Sequence, residues 1–232
     1  MVEAVLLDAG GVFHLPDHNR VIDAFKRVEI QVSRDLLDRA HYAGVAATHD
    51  FREGDREIWV AYLRGYARAC DTQEDRLPDA VESLLDEFTT GGIWSRVVPG
   101  SVAALRALAA TGVRLAIVSN AEGTAEARLR EEGICQVGDG PGVPVDTVID
   151  SAVVGVAKPD PRIFEIALDR LGARADRAVH VGDTPAADVD GAAAAGVRPV
   201  LLDPYDFHTG LDVDRVHSLV EVVDLVRELG AA

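Results

Sequence analysis

VEAVLLDAGG, residues 2–11, decides the fold class. From Val2 to Leu7 the run is apolar at every position but Glu3, and it passes into Asp-Ala-Gly-Gly at residues 8–11. A short apolar run of this kind reads as a strand buried on both faces that passes directly into a tight loop, as in parallel α/β sheets. The stretch after this strand decides between a continuous α/β fold and an interrupted one. From about Pro16 to Gly92 the pattern turns helical: NRVIDAFKRV, SRDLLDRAHYAGVAA, REIWVAYLRGYARA and DAVESLLDEF carry apolar residues three and four apart. This predicts about four helices, with no strand among them.

Beyond Gly92 the alternation returns. Pro99-Gly100-Ser101 opens a helix over VAALRALAA that Gly112 closes, and VRLAIVSN comes next as a strand. TAEARLREEG reads as a charged helix. CQVGDGPGVPVD, residues 135–146, reads as loop from its glycines and prolines, which do not fit a GxGxxG dinucleotide pattern. TVID is a short strand. Asp160-Pro161 starts the helix PRIFEIALDRLG, which ends at Gly172. AVHVGD is a strand, succeeded by a helix from Thr184-Pro185 to near Gly196. RPVLLD is the last strand, and DRVHSLVEVVDLVREL reads as a closing helix. The alternation predicts a doubly wound parallel sheet. Residues 1–15 and 97–232 are then an α/β core, and 16–96 an inserted all-helical domain.

Composition narrows the function. The 232 residues suffice for one core domain with a smaller insertion. A formal net charge of -16 argues against nucleic acid or an anionic membrane as partner. No apolar run is long enough to span a bilayer, and MVEAVLLDAGG lacks a basic leader, so a cytoplasmic location is expected. Cys70 and Cys135 have neither disulfide-framework nor metal-ligand spacing and read as buried, reduced thiols. Among the 23 basic residues only Lys26 and Lys158 are lysine. A lysine at a particular place in so arginine-rich a chain hints that a compact ammonium is needed there.

Asp8, Ser119 with Asn120, Lys158, and Asp183 with Asp188 stand at strand ends or helix starts, where open α/β sheets bind their ligands. Singly, each has an ordinary role as a cap, a turn residue or a surface charge. In this order, VLLDAGGV, VSN, VAKPDPRIF and HVGDTPAADVDGA resemble the four sequential motifs of the haloacid dehalogenase-like hydrolase superfamily, over nearly the whole chain. The helical insert resembles that family's C1 cap. The resemblance implies a phosphatase of a small phosphorylated metabolite that works with Mg²⁺. Asp8 would be the nucleophile, with Ser119, Asn120 and Lys158 holding the phosphoryl group. Asp8, the main-chain carbonyl of Gly10, Asp183 and Asp188 would form the metal site.

One position departs from the family. Its phosphatases carry a second aspartate two residues after the nucleophile, as the group that protonates the leaving alkoxide; here Gly10 stands there. General acid–base catalysis is worth about 10²–10⁴-fold. Its loss falls hardest on basic leaving groups and least on acyl phosphates, aryl phosphates and sugar 1-phosphates. His14 is the nearest replacement acid in sequence. Gly10 also leaves open a protein that binds a phosphorylated ligand without turnover. The family's metal-independent dehalogenases are a third reading, against which the Asp183–Asp188 pair argues. His49, Arg52, Trp59 and Tyr62 are candidate substrate-selecting residues of the insert.

Overall fold

The structure is a computed structural model that describes residues 1–48 and 56–231. It forms two compact units: Met1–Phe13 with Val98–Pro204 and Leu211–Ala232, and His14–Val97 with Tyr205–Gly210. In chain order, β1 (Ala4–Leu7) opens the first unit. The second holds β2 (His14–Pro16), α1 (His18–Arg27), α2 (Leu37–Ala46), α3 (Arg56–Ala69), α4 (Leu77–Thr89) and β3 (Trp94–Val97). The first then resumes with α5 (Ser101–Ala109), β4 (Arg114–Ser119), α6 (Ala125–Glu131), β5 (Cys135–Val137), β6 (Val143–Val145) and β7 (Thr147–Asp150). After these come α7 (Ser151–Val154), α8 (Arg162–Leu171), β8 (Ala178–Gly182), a π-helical segment at Pro185–Asp190, and α9 (Gly191–Ala194). The chain closes with β9 (Arg198–Leu202), β10 (Asp214–Val216) and α10 (Leu219–Ala231).

In the α/β unit six parallel strands run in the order β10-β9-β8-β1-β4-β7. Alternate residues of each strand face opposite sides. Ala4, Leu6, Ala116, Val118 and Ile149 meet Ile163, Phe164, Ala167 and Leu168 of α8. Val5, Leu7, Leu115 and Ile117 point the other way and are buried as well. Both faces of the sheet are therefore covered, which is why β1 reads as a continuous apolar run. The order places β1 between β4 and β8, the point at which successive connections leave toward opposite edges. A ligand crevice is expected there, at the carboxyl ends of the strands.

The helical unit has its own core, in which Val21, Phe25, Leu37, Leu63, Tyr66 and Leu84 pack together. The Asp17 side chain caps α1 by accepting from the Arg20 N–H at 2.9 Å. β2 and β3 form a short antiparallel pair at the two ends of the helical stretch. Tyr205 and Phe207 also belong to this unit, where the Tyr205 ring lies against Tyr42 and Arg39 lies over Phe207.

Three local expectations are corrected. Residues 135–146 are not all loop: β5 and β6 pair in parallel, and Cys135, Val143 and Val145 are buried. The buried Gln136 amide accepts from Gly142 N–H at 2.8 Å and donates to Gly138 O at 3.2 Å, so one side chain serves the turn that composition alone suggested. The closing helix begins only at Leu219, because Asp214–Val216 adds an edge strand beside β9. The stretch from Thr184 to Gly196 is not one regular helix; its first part is π-helical and α9 supplies only a final turn.

Candidate active site

Asp8 stands one residue past β1. Its N–H donates to Val181 O at 2.9 Å, so its main chain stays in the sheet and its side chain is delivered, buried, at the carboxyl edge. The chain then turns sharply. Val12 N–H donates to Gly10 O at 2.7 Å, and Gly11 has φ +64°. A Cβ on Gly11 would overlap the Asp183 carboxylate, so glycine is required here by conformation and by space. The Gly10 carbonyl keeps a second lone pair beside the one Val12 uses.

β8 delivers Asp183 on the other side of β1, and the π-helical segment brings Asp188 back over the end of β8. The return is close enough that a Cβ on Gly182 would run into the Asp188 carboxylate. Lys158 arrives from the loop between α7 and α8, where the Lys158–Pro159 peptide is cis. Its main chain is clamped by one side chain: Asn120 Oδ1 accepts from Lys158 N–H at 2.8 Å, and Asn120 Nδ2 donates to Lys158 O at 3.0 Å.

These elements meet at the lysine head. Lys158 Nζ lies 2.8 Å from Asp8 Oδ1 and 2.6 Å from Asp188 Oδ1. Asp8, Asp183 and Asp188 each place a carboxylate oxygen within 4.8 Å of the others. Of the residues read from sequence, the structure thus gathers Asp8, Lys158, Asp183 and Asp188 into one buried cluster. Ser119 is buried at the last position of β4, in register with Asp150 of β7. Asn120 is engaged with the main chain of Lys158, so its observed part is to hold the lysine.

The electrostatics are unbalanced. Burial raises the Asp8 carboxyl to about 7; Lys158 opposes this, while Asp188 and Asp183 add to it. Burial also works against ionisation of Asp188, but the Lys158 charge and the His180 hydrogen bond outweigh it and hold that carboxyl far below its usual range. Burial disfavours the Lys158 ammonium, and Asp188 and Asp8 more than restore it. Three carboxylates face one ammonium, two more anionic groups than cationic ones. Asp8 Oδ1 is fully buried and, although paired in charge with Lys158, receives no properly directed hydrogen bond from the described residues. A compact all-oxygen set with an under-satisfied buried oxygen suits a hard divalent cation such as Mg²⁺.

The sequence of residues 2–196 matches the family model described as haloacid dehalogenase-like hydrolase. The chain belongs to the haloacid dehalogenase-like hydrolases. A phosphoglycolate phosphatase of Rhodospirillum rubrum is 41% identical over 145 residues, 62% of this chain and 56% of that protein, so the match spans little more than half the relative's length. A ribulose-1,5-bisphosphate 5-phosphatase of Halopiger xanaduensis is 38% identical over 190 residues, 81% of this chain and 70% of that protein. Among solved structures, a 2-haloacid dehalogenase of Pseudomonas syringae shares the fold at TM-score 0.55 and 20% identity, covering 99% of this chain and 100% of that one. A HAD phosphatase of Thermococcus onnurineus does so at 0.55 and 20%, covering 97% and 98%.

Several residues of this haloacid dehalogenase-like hydrolase escaped the sequence reading. His180, wholly buried in β8, puts Nε2 2.9 Å from Asp188 Oδ1. Thr184 N–H donates to Asp188 Oδ2 at 3.0 Å, and its hydroxyl donates to Asp183 Oδ1 at 3.1 Å. Asp150 accepts from the N–H groups of Gly123 and Ala125 and so shapes the loop after Ser119. The available signal was a titratable residue inside an otherwise apolar strand, AVHVG. Of the four residues proposed to select substrate, His49 and Arg52 lie outside the described residues. Tyr62 is buried with its hydroxyl 3.0 Å from His41 Nδ1, and Trp59 is 43% exposed. His14 is a buried residue of β2. Both cysteines are buried, and burial pushes each thiol up to about 12, which makes them inert.

Proposed function

We propose that this hydrolase is a Mg²⁺-dependent phosphatase of a small phosphorylated metabolite, with Asp8 as nucleophile. The reading rests on one observation: three buried carboxylates gathered around a single pinned ammonium at the carboxyl edge of the sheet. Relatives named as phosphatases support it. Asp8, the Gly10 carbonyl and Asp183 would hold the cation. Asp188, whose oxygens already serve Lys158, His180 and Thr184, would orient its water or join it through a remaining lone pair. The bound ion would neutralise the phosphate oxygens and the excess charge of the cluster.

The chain's own groups do the rest. Lys158 and Ser119, with N–H groups of the loop that Asp150 shapes, hold the phosphoryl oxygens on which transition-state charge is spread. Asn120 fixes Lys158 for that task. An Asp8 oxygen attacks phosphorus as the P–O bond to the leaving alkoxide breaks, forming an aspartyl-phosphate. Water then displaces phosphate from this acyl phosphate and regenerates the carboxylate. The helical unit serves as the C1 cap and chooses the substrate. Among the described residues a Cβ at residue 10 would meet only Asp8 Oδ2, at 3.8 Å, so a first side-chain carbon fits there beside the nucleophile. Substrates with leaving groups that depart without a proton are favoured accordingly.

The openness at Gly10 also supports the second reading, a phospho-ligand binding protein without turnover. Phosphate release from p-nitrophenyl phosphate, acetyl phosphate and a panel of phosphorylated metabolites, with Mg²⁺ and with chelator, separates the possibilities. Turnover with Mg²⁺ that chelator abolishes is expected. Saturable binding without product would leave the binding protein, and halide release from haloacids in chelator would make it a dehalogenase.

A further inference from the structure

Asp188 has no idle oxygen. Oδ1 sits between two nitrogens, Lys158 Nζ at 2.6 Å and His180 Nε2 at 2.9 Å, and Oδ2 receives the Thr184 N–H at 3.0 Å. Of these three donors, the lysine is the only one that also reaches Asp8. The other two can act on the nucleophile only through Asp188. Thr184 donates from its main chain, which any residue but proline supplies. His180 donates from a side chain in the middle of β8, at a position where the strand's alternation otherwise places apolar groups such as Ala178.

We infer that His180 is a positioning residue for the reaction proposed above: it fixes the Asp188 carboxylate and, through it, the direction in which Lys158 presents its ammonium to Asp8 and the phosphoryl group. Three features of the geometry support a positional role over a merely space-filling one. The imidazole is wholly buried and meets the Phe164 ring in a T-shaped contact, centroids 4.8 Å apart, so packing holds it beside Asp188. Its backbone is in register with Leu6 of β1, two residues before the nucleophile, so the same strand pairing that sets Asp8 also sets the imidazole. Its bond falls on the oxygen that Lys158 uses, so losing it frees that oxygen to rotate with the lysine or away from it. A buried donor whose partner is charged is also costly to retain without use, and an apolar residue would fill the strand more simply.

The inference rests on the phosphatase reading, and its test distinguishes the two. His180→Gln carries an amide nitrogen at about the reach of Nε2, His180→Asn carries one too short to reach Asp188, and His180→Leu carries none. Each is compared with the parent for kcat and KM on p-nitrophenyl phosphate, for inorganic phosphate affinity by calorimetry with Mg²⁺ present, and for melting temperature. Groups that orient a charged ligand-binding residue commonly contribute about 10–100-fold. The expected result is a loss of that size in kcat for Leu and Asn, weaker phosphate binding in both, and recovery of most of each by Gln. Melting temperature should not follow this order, since Leu fills the strand best. Leu or Asn variants with kcat and phosphate affinity within twofold of an active parent would overturn the inference and leave the phosphatase reading intact. Losses that Gln does not recover, or that track melting temperature alone, would overturn it too. A parent with neither turnover nor phosphate affinity would sink the phosphatase reading, and this inference with it.

Discussion

Two of the aspartate-centred clusters among the described residues, one in each unit, are balanced differently. In the helical unit, Asp38 is held by Arg96 through both oxygens, at 2.7 and 2.8 Å, and by His18 Nε2 at 2.7 Å. Burial works against its ionisation, yet those hydrogen bonds outweigh burial and hold the carboxyl below its usual range. In the α/β unit, Asp8 shares one lysine with Asp188, has Asp183 nearby as well, and is raised to about 7. The same side chain is thus comfortable in one cluster and frustrated in the other. A charge cluster that satisfies itself fastens a fold. One that leaves anionic groups in excess is waiting for a cation or a reactant, and perturbed groups of this kind mark functional sites.

The contrast breaks most visibly at the two aspartates themselves. Asp8→Asn relieves the excess charge and removes the nucleophile, so phosphate release should fall by at least about 10⁴-fold while the protein stays folded. Steady-state kinetics beside circular dichroism checks both halves. An Asp8→Asn enzyme that keeps more than a tenth of parent turnover would mean that the unbalanced cluster is not where the chemistry occurs.

Gly10→Asp sharpens the comparison by adding a carboxyl to the cluster already in excess. Residue 10 does not have a positive φ, and among the described residues a Cβ there meets only Asp8 Oδ2, at 3.8 Å, so neither backbone nor first side-chain carbon opposes the change. Restoring a proton donor should raise turnover of alkyl phosphates by up to about 10²–10⁴-fold and change aryl and acyl phosphates much less. The readout is the slope of log kcat against leaving-group pKa: steep in the parent, shallow in the variant. A parent slope already shallow would show that another group supplies the proton.

How far the sequence revealed these clusters depends on how each is assembled. Asp8, Lys158, Asp183 and Asp188 were legible because they lie just past strand ends or close to helix starts, and the alternation of elements brings such places to one edge of the sheet. The roles of Asn120 and His180 were not, because they depend on which way a side chain points. Asn120 grips the Lys158 main chain, and His180 lies within a strand whose apolar reading hid it. The Asp38–Arg96–His18 set was invisible for a different reason. Its members are 20 and 58 residues apart along helices and a short strand, and no spacing rule joins them. The π-helical turn that carries Asp188 was likewise masked, since TPAADVDGA has an ordinary helical start.

The smallest effect is also the one in which the two clusters should differ in sign. In metal-free protein, the folded state keeps a proton on Asp8 up to about pH 7, while the unfolded chain releases it near the ordinary value of 3.8. Between those values the folded state binds more protons, so stability should fall as pH rises, by at most roughly 1.4 kcal/mol per pH unit for one proton. Asp8→Asn should remove that slope, and saturating Mg²⁺ should flatten it by favouring the carboxylate. Asp38 behaves oppositely. Its folded carboxyl lies below the usual range, so the stability it contributes is complete above that range and is lost as pH falls through the lowered value. Asp38→Asn should therefore cost about 1–3 kcal/mol at pH 7, where Arg96 and His18 lose a charged acceptor, and progressively less in acid. Urea denaturation of the parent and the two variants from about pH 2 to about pH 8, with and without Mg²⁺, reads both trends: the Asp8 slope between 3.8 and about 7, and the Asp38 loss below 3.8. If the Asp8→Asn protein kept the parent's slope, or the Asp38→Asn protein lost more in acid than at neutrality, the division between a frustrated cluster and a satisfied one would fail, because each trend depends only on which ionisation state the fold prefers.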